Sequence, residues 1–170
     1  MNRFLLLIII ASISFGYTSK PKCTEKQVNG LYSVCIPSNL SEIKGLNPDA
    51  SLQYLNPEDN IYIIVIDELI SELVKVEADY SLPNYLNFAI KNMGDLEGRV
   101  VGTPQSININ GIEALQSRIS GAYDGKSYDF RLIVLKSKTH MFQILVWNGT
   151  GLKEKKKKAV NDMIMSFRLL

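Results

Sequence analysis

Two stretches of this chain are apolar on both faces of the strand they would form, and that limits the folds open to it. "IYIIVIDEL" (Ile61–Leu69) is a nearly continuous run of β-branched and aromatic residues. In "KSYDFRLIVLKS", Tyr128, Phe130, Leu132 and Val134 alternate with more polar neighbours, while Ile133 and Leu135 supply a second apolar face. A strand on the surface of a domain needs one apolar face. A strand apolar on both must sit centrally, with a covering layer on each side.

The covering layers announce themselves by a change of period. Leu82, Tyr85, Leu86, Ala89, Ile90 and Met93 recur at helical spacing and form one stripe of an amphipathic helix. Pro83 sits in its first turn, where a missing N–H does no harm, and Gly94 closes its end. A last helix is predicted from about Leu152 to Phe167, with Val160, Met163, Ile164 and Phe167 on one narrow arc.

The remaining strands are bounded by turn residues. "GLYSVCIPSNL" reads as a strand ended by Pro37, Ser38–Asn47 as irregular, Pro48-Asp49 as a turn and Ala50–Leu55 as a short strand before the polar "NPEDN". "GIEALQSRISGAY" and "KSYDFRLIVLKS" flank Asp124-Gly125, a strong hairpin turn, and "HMFQILVWN" follows "KSKT". "GDLEGRVVG" lacks the lysine and Ser/Thr of a phosphate-binding loop and reads as a connection. Strands, helix, strands, helix is the order of an α+β domain with helices packed on a mainly antiparallel sheet.

Residues 1–16, "MNRFLLLIIIASISFG", have the Arg3 n-region, apolar run and small residues Ser14 and Gly16 of a secretory signal peptide. An uncleaved anchor is the alternative, but the run is shorter than the roughly 18 to 20 residues a spanning helix needs. Residues 17–28 then form an N-terminal arm and hairpin strand, and 29–170 the main domain. Export makes the two cysteines a disulfide candidate. If Val28-Asn29-Gly30 is a three-residue loop, residue 27 faces 31 and Cys23 faces Cys35. The competing reading, Cys23 as a lipid-bearing residue, is weakened by the preceding "KPK", where a small residue is required.

The order of elements and several packing patterns resemble the PsbP-like family. The residues that carry the resemblance are "SLPNYLNFAIKNM", "ININGIEALQSRISG", "KSYDFRLIVL", "MFQILVWN" and the closing "AVNDMIMSFRLL", so it spans about residues 29–170. It implies an α-β-α sandwich, a central mainly antiparallel sheet flanked by helices. That fold is shared with a Ran-binding nuclear transport factor and DcrB-type bacterial envelope proteins. It also implies action by binding or assembly, with no shared catalytic site.

The chemistry-bearing residues point the same way. His140 is the only histidine, in a tight connection, and no G-x-S-x-G elbow accompanies it. One histidine and two cysteines expected to be bonded leave no tetrahedral zinc set. The carboxylates Glu58-Asp59 and Asp67, Glu68, Glu72 lack the spacing of a calcium loop and read as charged strand ends and turns. "NLS" at Asn39 and "NGT" at Asn148 match the glycosylation sequon, which matters only in a eukaryotic secretory host. No catalytic, metal or cofactor site is therefore expected.

The strongest binding feature is the lysine run Lys153, Lys155, Lys156, Lys157 and Lys158. Projected at 100° per residue, Lys153 and Lys156 fall on the buried arc of the last helix, while Lys155 and Lys158 point nearly opposite. The run has no broad apolar face for a membrane surface and no interleaved aromatics for RNA. Nineteen Lys+Arg against seventeen Asp+Glu is too balanced for a general nucleic-acid binder. The lysines read as a solvated helix start, or as a docking patch for an acidic protein or, weakly, an anionic membrane surface. The expectation is an exported, non-enzymatic accessory or assembly factor that binds a protein in the cell envelope. A small-ligand carrier using Tyr85, Tyr128 and Trp147 is the alternative, and a hydrolase the least favoured class.

Overall fold

The computed structural model describes residues 23–75 and 80–170. The expected signal peptide, 1–16, lies outside the described residues. The chain opens with a hairpin, β1 (Cys23–Val28) and β2 (Tyr32–Pro37), followed by β3 (Ser41–Glu42), β4 (Ala50–Asn56) and β5 (Ile61–Leu69). A one-turn helix α1 (Ile70–Leu73) and the amphipathic α2 (Leu82–Lys91) come next. Then follow β6 (Glu97–Val101), β7 (Gln105–Ile109), β8 (Ile112–Tyr123), β9 (Lys126–Lys136), β10 (His140–Gly149), α3 (Glu154–Ile164) and β11 (Arg168–Leu169).

The large sheet runs β3-β4-β5-β10-β9-β8-β6, with β7 also paired to β8, and every pairing is antiparallel. Both strands read as doubly apolar are interior: β5 lies between β4 and β10, and β9 between β10 and β8. Each face has its own core. On one, Ile63, Val65, Ile133, Leu135 and Phe142 pack against Tyr32 of β2 and against Met163, Ile164 and Phe167. On the other, Leu132, Val134 and Met141 pack against Tyr85, Leu86 and Ala89 of α2. Full burial stabilises by about 1.5–3 kcal/mol for each large apolar side chain, so both covering layers are held by several such contributions.

The domain is an α+β sandwich of the expected kind, with one addition. The layer opposite α2 holds α3 and also a small sheet, β1-β2-β11. Tyr32 locks that sheet down: its ring stacks on Phe167 at 4.9 Å and meets Phe142 edge-on at 5.7 Å.

Several local expectations are corrected. Cys23 and Cys35 are disulfide-bonded, with Cα atoms 5.4 Å apart, but they do not face each other. Asn29 (φ 52°) and Gly30 (φ 66°) both take the left-handed conformation, and Leu31 N–H donates to Val28 O at 2.9 Å. The loop is therefore Asn29-Gly30-Leu31; Val28 pairs with Tyr32, and Cys35 faces Glu25. "GDLEGRVVG" is not only a connection, because Glu97–Val101 pairs with the edge of β8. Its register shifts between Glu97 and Val100, around Gly98 (φ 60°), which erases the alternation by which a strand is read. The last helix is shorter than 152–167, since its tail turns back as β11 onto β2. The irregular segment 38–47 contains the two-residue β3.

Candidate docking surface

α3 starts without a side-chain cap. Lys153 occupies the N-cap position, and the N–H groups of Lys156 and Lys157 donate to its carbonyl at 2.9 and 3.1 Å. Glu154 in the first turn counters the lysine charge that would otherwise oppose the helix dipole. What fixes the helix start is Lys156, which is ion-paired with Asp59 in the β4–β5 turn. Asp59 is 13% exposed and is itself held by the buried Asn56, which accepts from Asp59 N at 3.0 Å and donates to Asp59 Oδ2 at 3.0 Å. The helical projection placed Lys156 inward; its partner lies in one of the carboxylate groups noted above.

The other lysines differ in kind. Lys157 pairs with Glu154 at 2.8 Å and Lys158 with Asp162 at 2.6 Å, both exposed pairs within the helix. Such pairs contribute about 0–1 kcal/mol, so a partner's carboxylate could replace either at little cost. Lys153 and Lys155 make no ion pair among the described residues. The helix thus has one fixed cation beneath it and exchangeable ones outside. Beside its start lies an open groove of about 420 Å³, lined by Glu58, Asp59, Gly149, Thr150, Gly151 and Lys153 among others.

A second groove, about 580 Å³, lies between the β1–β2 hairpin and the β3–β4 segment. Its lining is polar, including Lys26, Glu42, Lys44, Asn47 and Gln53, with Tyr54 donating to Glu42 at 3.2 Å. Tyr85, Tyr128 and Trp147 line neither groove. Trp147 instead stacks between Tyr62 and Phe130, with ring centroids 5.0 and 6.3 Å away, and Tyr128 lies beside Phe130.

The other carboxylates are dispersed. Asp67 and Glu68 are adjacent in β5 and so point to opposite faces of the sheet, and Glu72 pairs with Lys75 at 2.6 Å. Glu68 accepts from the Tyr85 hydroxyl and from Gln143 Nε2, the latter at 3.0 Å. Burial, reinforced by the Glu68 carboxylate, pushes the Tyr85 phenol well above its ordinary range, so it stays a donor. This cluster ties α2 to the sheet. His140 opens β10, its Nδ1 2.9 Å from Thr139 Oγ1.

One cluster escaped the reading of the sequence. Arg118 in β8 and Arg131 in β9 stand directly opposite each other. Arg131 Nε donates to Gln116 Oε1 at 2.8 Å, and its Nη1 donates to Asn161 Oδ1 of α3 at 2.9 Å. The signal was available, because the two arginines are equidistant from Asp124-Gly125, whose two-residue loop sets this register.

No family model matches the chain, and no curated protein matches it. Solved structures do. Cyanobacterial PsbP (CyanoP) from Synechocystis superimposes with a TM-score of 0.56 at 11% identity, covering 92% of this chain and 98% of CyanoP. The Ran-binding protein Mog1p of Saccharomyces cerevisiae gives 0.59 at 9% identity, covering 88% and 96%. LpqN of Mycobacterium tuberculosis, involved in cell envelope biogenesis, gives 0.58 at 15%, covering 81% and 82%. This chain has the PsbP-like fold. Against a Bacteroides thetaiotaomicron protein, at a TM-score of 0.62 and 12% identity, it spans about half of that chain's length, 49%. Identities this low carry the PsbP-like architecture and nothing of the partners.

Proposed function

We propose that this chain is an exported, non-enzymatic accessory or assembly factor that acts by binding a protein partner in the cell envelope. The observation that carries the reading is the division of labour within the lysine run. Lys156 is committed to Asp59, whereas Lys153, Lys155, Lys157 and Lys158 present charge that is free or only loosely paired. Export is supported by the sequence of residues 1–16 and by the disulfide, a bond that persists in oxidising compartments. The proposed organisation is a signal peptide (1–16), an arm and hairpin strand (17–28) and the binding domain (29–170). Among proteins of the same fold, LpqN is involved in envelope biogenesis and Mog1p binds Ran, both compatible with action through a partner. The polar linings of the two grooves give the carrier alternative no support.

The test is cross-linked co-purification of the full chain from its host's envelope at low and high salt. The reading expects one saturable protein partner whose recovery falls as salt rises, because exposed charge contacts are screened. It also expects Lys155→Gln, Lys157→Gln and Lys158→Gln together to reduce the salt dependence. A folded, disulfide-intact chain that recovers no partner at either salt contradicts it.

A further inference from the structure

Among the described residues, β8 and β9 carry an electrostatic conflict. Arg118 and Arg131 are direct cross-strand partners, so both side chains leave the sheet on the face that α3 covers. Like charges in that relation destabilise a strand pair. Arg131 is half-buried, and burial, then the charge of Arg118, lowers its pKa. Neither arginine makes an ion pair among the described residues. Asp129, two positions along β9, faces the same way but pairs with neither. On α3, Lys158 and Asp162 flank Asn161 and are bonded to each other.

Neutral amides hold the guanidinium in place of a carboxylate. Gln105 of β7 accepts from Gln116 Nε2 at 3.2 Å, Gln116 accepts from Arg131 Nε, and Asn161 accepts from Arg131 Nη1. This chain of amides, running from β7 to α3, fixes the Arg131 fork without neutralising it. The Nη2 edge has no hydrogen bond among the described residues, and the exposed Arg118 stands alongside. A guanidinium orders a carboxylate best when its own position is already set.

We propose that the Arg118–Arg131 pair is the seat for an acidic segment of the protein partner, a glutamate- or aspartate-rich stretch whose carboxylate is clamped between the two forks. The inference rests on the partner-binding reading above and adds the chemistry of the partner. The incoming carboxylate relieves the cross-strand repulsion, so the conflict is the feature that the partner resolves. The loosely paired lysines lie on the same helix, N-terminal to Asn161.

The full chain, folded and disulfide-intact, is titrated with a fluorescein-labelled decaglutamate peptide at low salt, followed by fluorescence polarisation. Saturable binding is expected, weakened about tenfold by Arg131→Gln and again by Arg118→Gln, as for loss of a charge-assisted bond. Lys91→Gln on α2 should leave it unchanged. Arg131→Gln should melt no lower than the parent, which separates lost binding from lost folding; if it fails to fold, the exposed Arg118→Gln carries the test. The double Arg118→Glu, Arg131→Glu variant should release the peptide and take up decalysine. Peptide binding indifferent to both arginines, or no binding by the parent chain, overturns the proposal. So does arginine-dependent binding to phosphatidylglycerol vesicles in place of the peptide. In the co-purification assay, a partner retained by the Arg118→Gln, Arg131→Gln double variant sinks the arginine seat alone. A parent chain with no partner sinks the underlying reading.

Discussion

The two long helices cover opposite faces of one sheet and are built to different ends. α2 turns an apolar stripe and one internal polar cluster toward the sheet, and Tyr85, Glu68 and Gln143 satisfy one another there. α3 is equally well anchored by Met163, Ile164 and the following Phe167, yet its first two turns carry charge that the fold does not consume. A helix whose buried polar group is satisfied within the fold serves as a covering layer. A helix whose charges are paired only in water can exchange those pairs for a partner's.

Substitutions that remove core anchors should erase the contrast, because both helices depend on apolar burial. Phe167→Ala should destabilise by about 3–5 kcal/mol and Leu86→Ala by about 2–5 kcal/mol in urea denaturation. A loss below about 1 kcal/mol at either site would mean that its helix is not a structural layer.

The polar anchors come next. Tyr85→Phe takes a donor from the Glu68 carboxylate and should cost about 1–3 kcal/mol. The same phenol sets an alkaline limit. Its folded pKa lies above the ordinary value of 10.0, as does that of Tyr32, which is raised by burial on the other face. Both contributions are complete below pH 10 and are lost as pH rises above it, since the unfolded chain then gives up protons that the folded chain keeps. Stability should therefore fall by about 1.4 kcal/mol per pH unit for each tyrosine, and Tyr85→Phe should remove one of the two contributions. A slope unchanged in that variant would break the assignment.

Smaller effects separate the two kinds of lysine. Asp59→Ala leaves Lys156 without its partner and should cost about 1 kcal/mol, with faster amide exchange at the start of α3. Combined Lys155→Gln, Lys157→Gln and Lys158→Gln should change stability by no more than about 1 kcal/mol while weakening salt-sensitive partner binding. If instead the triple variant unfolds and Asp59→Ala is silent, the division of labour is reversed.

The central strands, α2 and the Asp124-Gly125 hairpin were legible because each is specified within its own segment: doubly apolar runs, a helical stripe and a two-residue turn. The elements that escaped depend on distant chain. β11 exists only because β2 offers it an edge, and β6 only because β8 does. The inward pointing of Lys156 followed from helical angles, but its carboxylate partner, 97 positions away in sequence, did not. The Arg118–Arg131 pairing was implicit in the turn. Its meaning was not, since the amides that fix Arg131 come from β8 and α3.

The most direct test places a photo-activatable cross-linking residue at Lys155 on α3, and separately at the exposed Lys91 on α2, in the full chain expressed in its host. The account predicts a discrete protein adduct from position 155 that disappears at high salt, and none from position 91. An adduct from position 91 alone, or from neither position in folded protein, would contradict it.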